Sequence, residues 1–146
     1  MAKSILIING PNLNMLGKRE LNIYGATTLE QINNSIQERA IALDLNVICF
    51  QSNNEGELVD KLQQAGPGCD GIIINPAAYT HTSVAIRDAL AALNKPTIEI
   101  HLSNIFKRED FRKHSYISDI AFGVISGLGA NGYILALDAL KNILES

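Results

Sequence analysis

A chain of 146 residues that is 47% hydrophobic and 18% charged has the length and composition of one globular domain with a sizeable core, and lies outside the disordered range. A net charge of −3, a pI near 5.5 and the lack of any basic stripe give nucleic acid no electrostatic reason to bind, while a small anion can still find a local basic spot. Apolar runs such as Ile5 to Ile8 fall far short of the roughly 20 residues of a membrane span, and Met1 to Ser4 lacks a signal peptide's apolar core, so the expectation is a cytoplasmic protein with no membrane partner.

In chain order, the first strand is expected over about Ser4 to Ile8. Residues 16–26 form a long loop containing Gly17, Lys18, Arg19, Glu20, Tyr24 and Gly25; a loop of this length in a compact domain is usually functional, often a lid. Thr28-Leu29-Glu30-Gln31 has the capping-box form, and Leu29, Ile32, Ile36, Ala40 and Leu43 follow at helical spacing, which predicts a helix ending near Asp44. Val47 to Gln51 reads as the second strand. Glu55 to Ala65 reads as a helix stopped by Gly66-Pro67-Gly68.

Gly71 to Asn75 is the third strand, and Ser83 caps a helix with Val84, Leu90 and Leu93 along one apolar side until Asn94-Lys95-Pro96. Thr97 to His101 is the fourth strand and Ala121 to Ile125 the fifth. Asn131 to Leu144 makes the last helix, with Ile134, Leu137, Leu140 and Leu144 inward. Strands alternating with helices predict a single α/β domain spanning 1–146; five strands and four principal helices suit a flavodoxin-like, doubly wound parallel sheet, with the order 2-1-3-4-5 expected by analogy. Such sheets bind ligands beyond the carboxyl ends of their strands, at the switch point between strands one and three.

Three polar loops converge there. Asn9-Gly10-Pro11-Asn12-Leu13-Asn14 follows strand one, Asn75-Pro76-Ala77-Ala78-Tyr79-Thr80-His81 follows strand three, and His101-Leu102-Ser103-Asn104 follows strand four. Each alone is ordinary turn chemistry; three at adjacent strand ends, two carrying histidine, point to a site. Period two puts Glu99, His101 and Ser103 on one side of strand four, where Glu99 can fix the His101 tautomer.

Tyr24 is a poor base at neutral pH unless cations stabilise its phenolate, and Arg19 is placed to do so. The run from Lys107 to Lys113 reads as a solvated charged turn from which one arginine reaches back to a carboxylate or hydroxyls; His114 in this stretch reads as exposed.

Competing uses of these residues are weaker. His81, His101 and Glu99 lack the paired spacing of a metal site, so no metal is expected. Gly127-Leu128-Gly129-Ala130-Asn131-Gly132 is a literal GxGxxG, but it follows the last strand, not the first, and reads as a tight turn with no dinucleotide. Cys49 and Cys69 have no metal or redox spacing and read as reduced, small buried or loop residues. A non-catalytic flavodoxin-like binding module is the alternative; a receiver domain would want acidic residues where Asn9 and Asn12 stand, and no P-loop is present.

Asn9-Gly10-Pro11-Asn12-Leu13, Arg19 to Tyr24-Gly25, Asn75-Pro76 to Thr80-His81-Thr82-Ser83, Glu99-Ile100-His101-Leu102-Ser103-Asn104 and Phe111-Arg112 together resemble the type II 3-dehydroquinate dehydratases over almost the whole chain. Leu21 departs from the resemblance, standing where that lid often carries proline after Arg-Glu. The resemblance implies a cofactor-free anti elimination of water from 3-dehydroquinate through an enolate. It implies Tyr24 as base, Arg19 stabilising its phenolate, His101 as acid assisted by Glu99, and Asn12 stabilising the enolate oxygen through a water. It further implies that Asn75, Ser103 and the Leu102 to Ser103 backbone hold the substrate carboxylate and that His81 and Arg112 hold ring hydroxyls. Asp88 resembles the residue lent by a neighbouring subunit, in a homododecamer of four trimers.

Overall fold

The computed structural model describes residues 2–146. Five strands form one parallel sheet in the order β2-β1-β3-β4-β5: β1 Lys3–Asn9, β2 Leu45–Gln51, β3 Gly71–Asn75, β4 Thr97–His101 and β5 Gly123–Ser126. This is the flavodoxin-like order expected by analogy. Because both faces of the sheet are covered, the central strands read as unbroken apolar runs. Ile5 and Ile7 enter one core with Ile73, Ile98 and Ile100, while Leu6 and Ile8 enter the other with Ile72 and Ile74.

Helices α2 (Leu29–Ala42) and α5 (Asn131–Glu145) close the first core; α3 (Glu55–Ala65) and α4 (Val84–Leu93) close the second. The reciprocal Thr28 and Gln31 bonds of the capping box start α2, and the Ser83 hydroxyl accepting from Ile86 N–H starts α4. Residue Asp44, at φ 56°, takes the chain out of α2 two residues beyond Ala42.

Several expected details shift. The fifth strand begins at Gly123 and not Ala121, because the Ala121 N–H is held by the Ile117 carbonyl in a turn. Leu90 is buried in α4 and Leu93 packs beside it as expected, but Val84 is half exposed and Ile86 and Ala89 complete the buried side. The inner stripe of α5 keeps Leu137 and Leu140, with Leu144 packed at its edge, but it buries Tyr133 and Ala136 where Ile134 was expected. A four-residue helix α1, Leu21–Tyr24, lies inside the long loop, with exposed Leu21 as its first residue. Among the described residues no helix is long and apolar enough to cross a membrane.

Candidate active site

The ends of β1 and β3 meet closely. Gly10 N–H donates to the Asn75 carbonyl at 2.8 Å, and a Cβ on Gly10 would stand 2.3 Å from the Pro76 oxygen, so only glycine lets the two loops touch. The next turn places Asn12 at φ 69°, with its N–H on Asn53 Oδ1 at 2.9 Å. Asparagine tolerates this left-handed conformation better than most residues.

Above this junction lies a cavity of about 170 Å³. That is small beside drug-sized sites of roughly 300–1,000 Å³ and suits a small metabolite. Of the eleven residues singled out in sequence, Asn12, Arg19, Tyr24, Asn75, His81, His101, Leu102, Ser103 and Arg112 line it. Glu99 stands behind His101, fully buried. Asp88 is exposed on α4 and is not brought to the cavity of its own chain.

Glu99 is a buried carboxylate with a full set of donors. Thr80 and Ser115 hydroxyls reach its Oε2 at 3.0 and 2.9 Å, the Ser118 hydroxyl reaches Oε1 at 2.6 Å, and His101 Nε2 meets Oε2. Burial pushes the Glu99 pKa up, but the bonds from His101, Ser118 and Ser115 outweigh it, leaving the group below the usual glutamate value. An ionised Glu99 accepts from His101 Nε2 and so orients the ring. His81 Nδ1 donates to the His114 carbonyl at 2.8 Å. Burial lowers the His81 pKa against the raising effect of that bond, so the ring stays neutral with a lone pair on Nε2.

On the opposite side sits Tyr24. Its hydroxyl accepts from Arg108 Nη1 at 2.7 Å, and the same nitrogen lies 3.3 Å from Ser103 Oγ. Arg19 was expected to hold the phenol oxygen; its guanidinium lies 5.3 Å from the ring centroid and pairs with Glu20 at 2.9 Å. Arg108 is therefore the arginine on the oxygen. Its signal in sequence was only a charged run that also contained Arg112, and spacing could not say which side chain turns inward. Thr80, Ser115 and Ser118 were likewise missed as carboxylate partners, since isolated hydroxyls in irregular segments carry no periodic signal.

Three arginines, Arg19, Arg108 and Arg112, thus line a cavity whose carboxylate neighbour, Glu20, is already paired. In a chain of net charge −3 this local excess of positive charge favours a small anion. The glycine run after β5 is not a phosphate cradle: Gly127 and Gly129 N–H groups are bound to the His101 and Leu102 carbonyls at 3.2 and 3.0 Å, bracing the β4 loop. Among the described residues no three His, Cys, Asp or Glu side chains are grouped as a metal would require.

Comparison with known proteins gives the same architecture a family. The sequence profile of the Dehydroquinase class II family matches residues 3–141. The chain belongs to that family. Its relatives include a 3-dehydroquinate dehydratase from Bordetella avium, 60% identical over 94% of this chain and 96% of the relative, and one from Francisella philomiragia, 61% identical over 97% and 96%. Among solved structures, the type II dehydroquinase from Butyrivibrio crossotus superposes with a TM-score of 0.93 at 49% identity, covering 99% of both chains. The Propionibacterium acnes type II dehydroquinase also gives 0.93, at 44% identity over 97% and 98%. For a class II dehydroquinase, the site described above lies where doubly wound sheets bind their ligands.

Proposed function

We propose that the chain is a 3-dehydroquinate dehydratase, eliminating water from 3-dehydroquinate to give 3-dehydroshikimate in the shikimate pathway. One observation carries the reading: a single cavity has a phenol beneath two guanidinium groups on one side and a buried carboxylate–imidazole pair on the other. Elimination beside a ketone needs a base, an acid and enolate stabilisation, with no hydride or electron carrier.

In this reading Tyr24, as phenolate, removes the proton alpha to the ketone, and Arg108 and Arg19 supply positive charge where its negative charge must sit. The electron pair moves onto the ketone oxygen, and Asn12 stabilises that enolate through a water. Collapse of the enolate expels the beta hydroxyl, which takes a proton from His101 and leaves as water. Glu99 supports the imidazolium before the transfer. Asn75, Ser103 and the Leu102 to Ser103 backbone hold the substrate carboxylate; Arg112 and the neutral His81 hold ring hydroxyls.

Residues 1–146 act as one catalytic domain, and the loop 16–26, which carries both Arg19 and Tyr24, serves as the lid. The working assembly is a homododecamer of four trimers in which Asp88 completes a neighbour's site; its exposure outside its own cavity supports that use. As an enzyme of biosynthesis it acts in the cytoplasm. An Asp88→Ala variant is expected to lose activity without unfolding, and full activity with unchanged substrate binding would rule out the shared site.

Among the described residues no lysine lines the cavity, which speaks against a Schiff-base route. The test is direct: EDTA-treated protein mixed with 3-dehydroquinate should develop the ultraviolet absorbance of the conjugated product. Borohydride added during turnover should leave the protein mass unchanged. Absence of product, or a stable lysine adduct, would overturn the reading.

A further inference from the structure

Tyr133, in the first turn of α5, is fully buried and extends beneath the ends of β1 and β3. Its hydroxyl lies 2.5 Å from Asn9 Oδ1 and 3.1 Å from Asn75 Nδ2. The polarity of this chain follows from what each atom can do. An amide nitrogen only donates, so Asn75 Nδ2 gives a proton to the phenol oxygen; the phenol's own proton then needs an acceptor, and Asn9 Oδ1 is that acceptor. Burial raises the Tyr133 pKa, so the hydroxyl keeps its proton. Asn75 Oδ1 in turn accepts the Ala77 N–H at 3.2 Å.

Both ends of the Asn75 amide are thereby set. Turning it over would place its oxygen against a phenol already committed to Asn9 and its NH2 against the Ala77 N–H. Asn75 lines the cavity, and its second Nδ2 proton is the donor left over for a ligand. Asn9 Nδ2 is buried without a partner among the described residues, an unfavourable state that a smaller or apolar side chain would avoid. The acceptor that Asn9 offers to Tyr133 accounts for its presence.

We propose that Tyr133 is a positioning residue for the reaction: acting through Asn75, with Asn9 as its anchor, it fixes the amide whose free N–H receives the substrate carboxylate. The proposal rests on the functional reading above. It predicts a binding effect and not a chemical one, because Tyr133 touches neither the Tyr24 base nor the Glu99–His101 pair.

The test is a double-mutant cycle with 3-dehydroquinate on Tyr133→Phe, Asn75→Ala and the combined variant, with the melting temperature of each. Tyr133→Phe keeps the ring and removes only the hydroxyl; it should raise KM roughly five- to tenfold, as expected for one neutral hydrogen bond, with kcat within about twofold. In the Asn75→Ala background the same change should add less than about twofold, since the group it positions is gone. Asn9→Ala, which removes the anchor, should shift KM in the same direction and serves where Tyr133→Phe does not fold. An unchanged KM, a fall confined to kcat, or effects of Tyr133→Phe and Asn75→Ala that multiply fully would overturn the assignment while leaving the dehydratase reading intact. A wild type that does not turn over 3-dehydroquinate would overturn both.

Discussion

On one face of the sheet the wall of the cavity rests on a charge: Glu99, buried at the middle of β4, gathers Thr80, Ser115, Ser118 and His101 around an ionised carboxylate. On the other face it rests on neutral groups, with Tyr133 joining Asn9 and Asn75 through one phenol. Both networks are buried, and both orient a side chain that lines the cavity. They differ in what they make that side chain sensitive to. The carboxylate network couples the position of His101 to protonation, as an acid catalyst requires; the phenol–amide network sets the polarity of Asn75 by donor and acceptor count alone, as a binding group requires.

Cutting each network at the group it serves should separate the two roles most widely. His101→Ala should lower kcat roughly 10²- to 10⁴-fold, the range of a positioned general acid, measured by steady-state turnover of 3-dehydroquinate. Asn75→Ala should act mainly on KM. A loss of kcat from Asn75→Ala as large as that from His101→Ala would erase the distinction.

Removing the charge itself is the next largest effect and falls on stability. Glu99→Ala leaves His101 and three hydroxyls without their acceptor, and a broken buried pair costs about 3–5 kcal/mol in urea unfolding. Ser118→Ala deletes one bond to a charged group, about 1.5–3 kcal/mol near neutral pH. Because the folded-state Glu99 pKa lies below the ordinary value of 4.5, its stabilisation is complete above that pH and is lost as pH falls through the lowered value. The deficit of Ser118→Ala relative to the wild type should therefore narrow on acidification below pH 4.5. A deficit that stays constant would show that Ser118 does not stabilise the carboxylate.

The smallest effect belongs to the neutral side. Tyr133→Phe leaves Asn9 Oδ1 and Asn75 Nδ2 buried without the hydroxyl and should cost about 1–3 kcal/mol, with no change in that cost between pH 4 and 8, measured by the same urea titrations. A pH-dependent cost would mean that the phenol–amide network is coupled to a titrating group.

The contrast also explains what the sequence could reveal. Strands and long helices were legible because Ile5 to Ile8 form an unbroken apolar run and Ile32, Ile36 and Ala40 repeat at helical spacing, while the strand order came by analogy with flavodoxin-like sheets. The strand-end asparagines and histidines were legible because three loops of the same chemistry had to meet at one edge. Arg108, Ser115, Ser118 and Tyr133 were not, for a common reason: each acts from a segment distant in sequence from the group it touches. Tyr133 lies 58 residues from Asn75 and 124 from Asn9, so only the packing of α5 against the sheet brings them together. The single turns at 21–24 and 105–113 were also unreadable, since one turn is too short to show a period.

Base and acid stand on opposite sides of one cavity, and proton exchange separates what each of them does. 3-Dehydroquinate is followed by NMR in D2O with the wild type, Tyr24→Phe and His101→Ala. The wild type should form product, His101→Ala should exchange the proton alpha to the ketone but form scarcely any product, and Tyr24→Phe should do neither. Exchange or product from Tyr24→Phe at the wild-type rate would contradict that assignment.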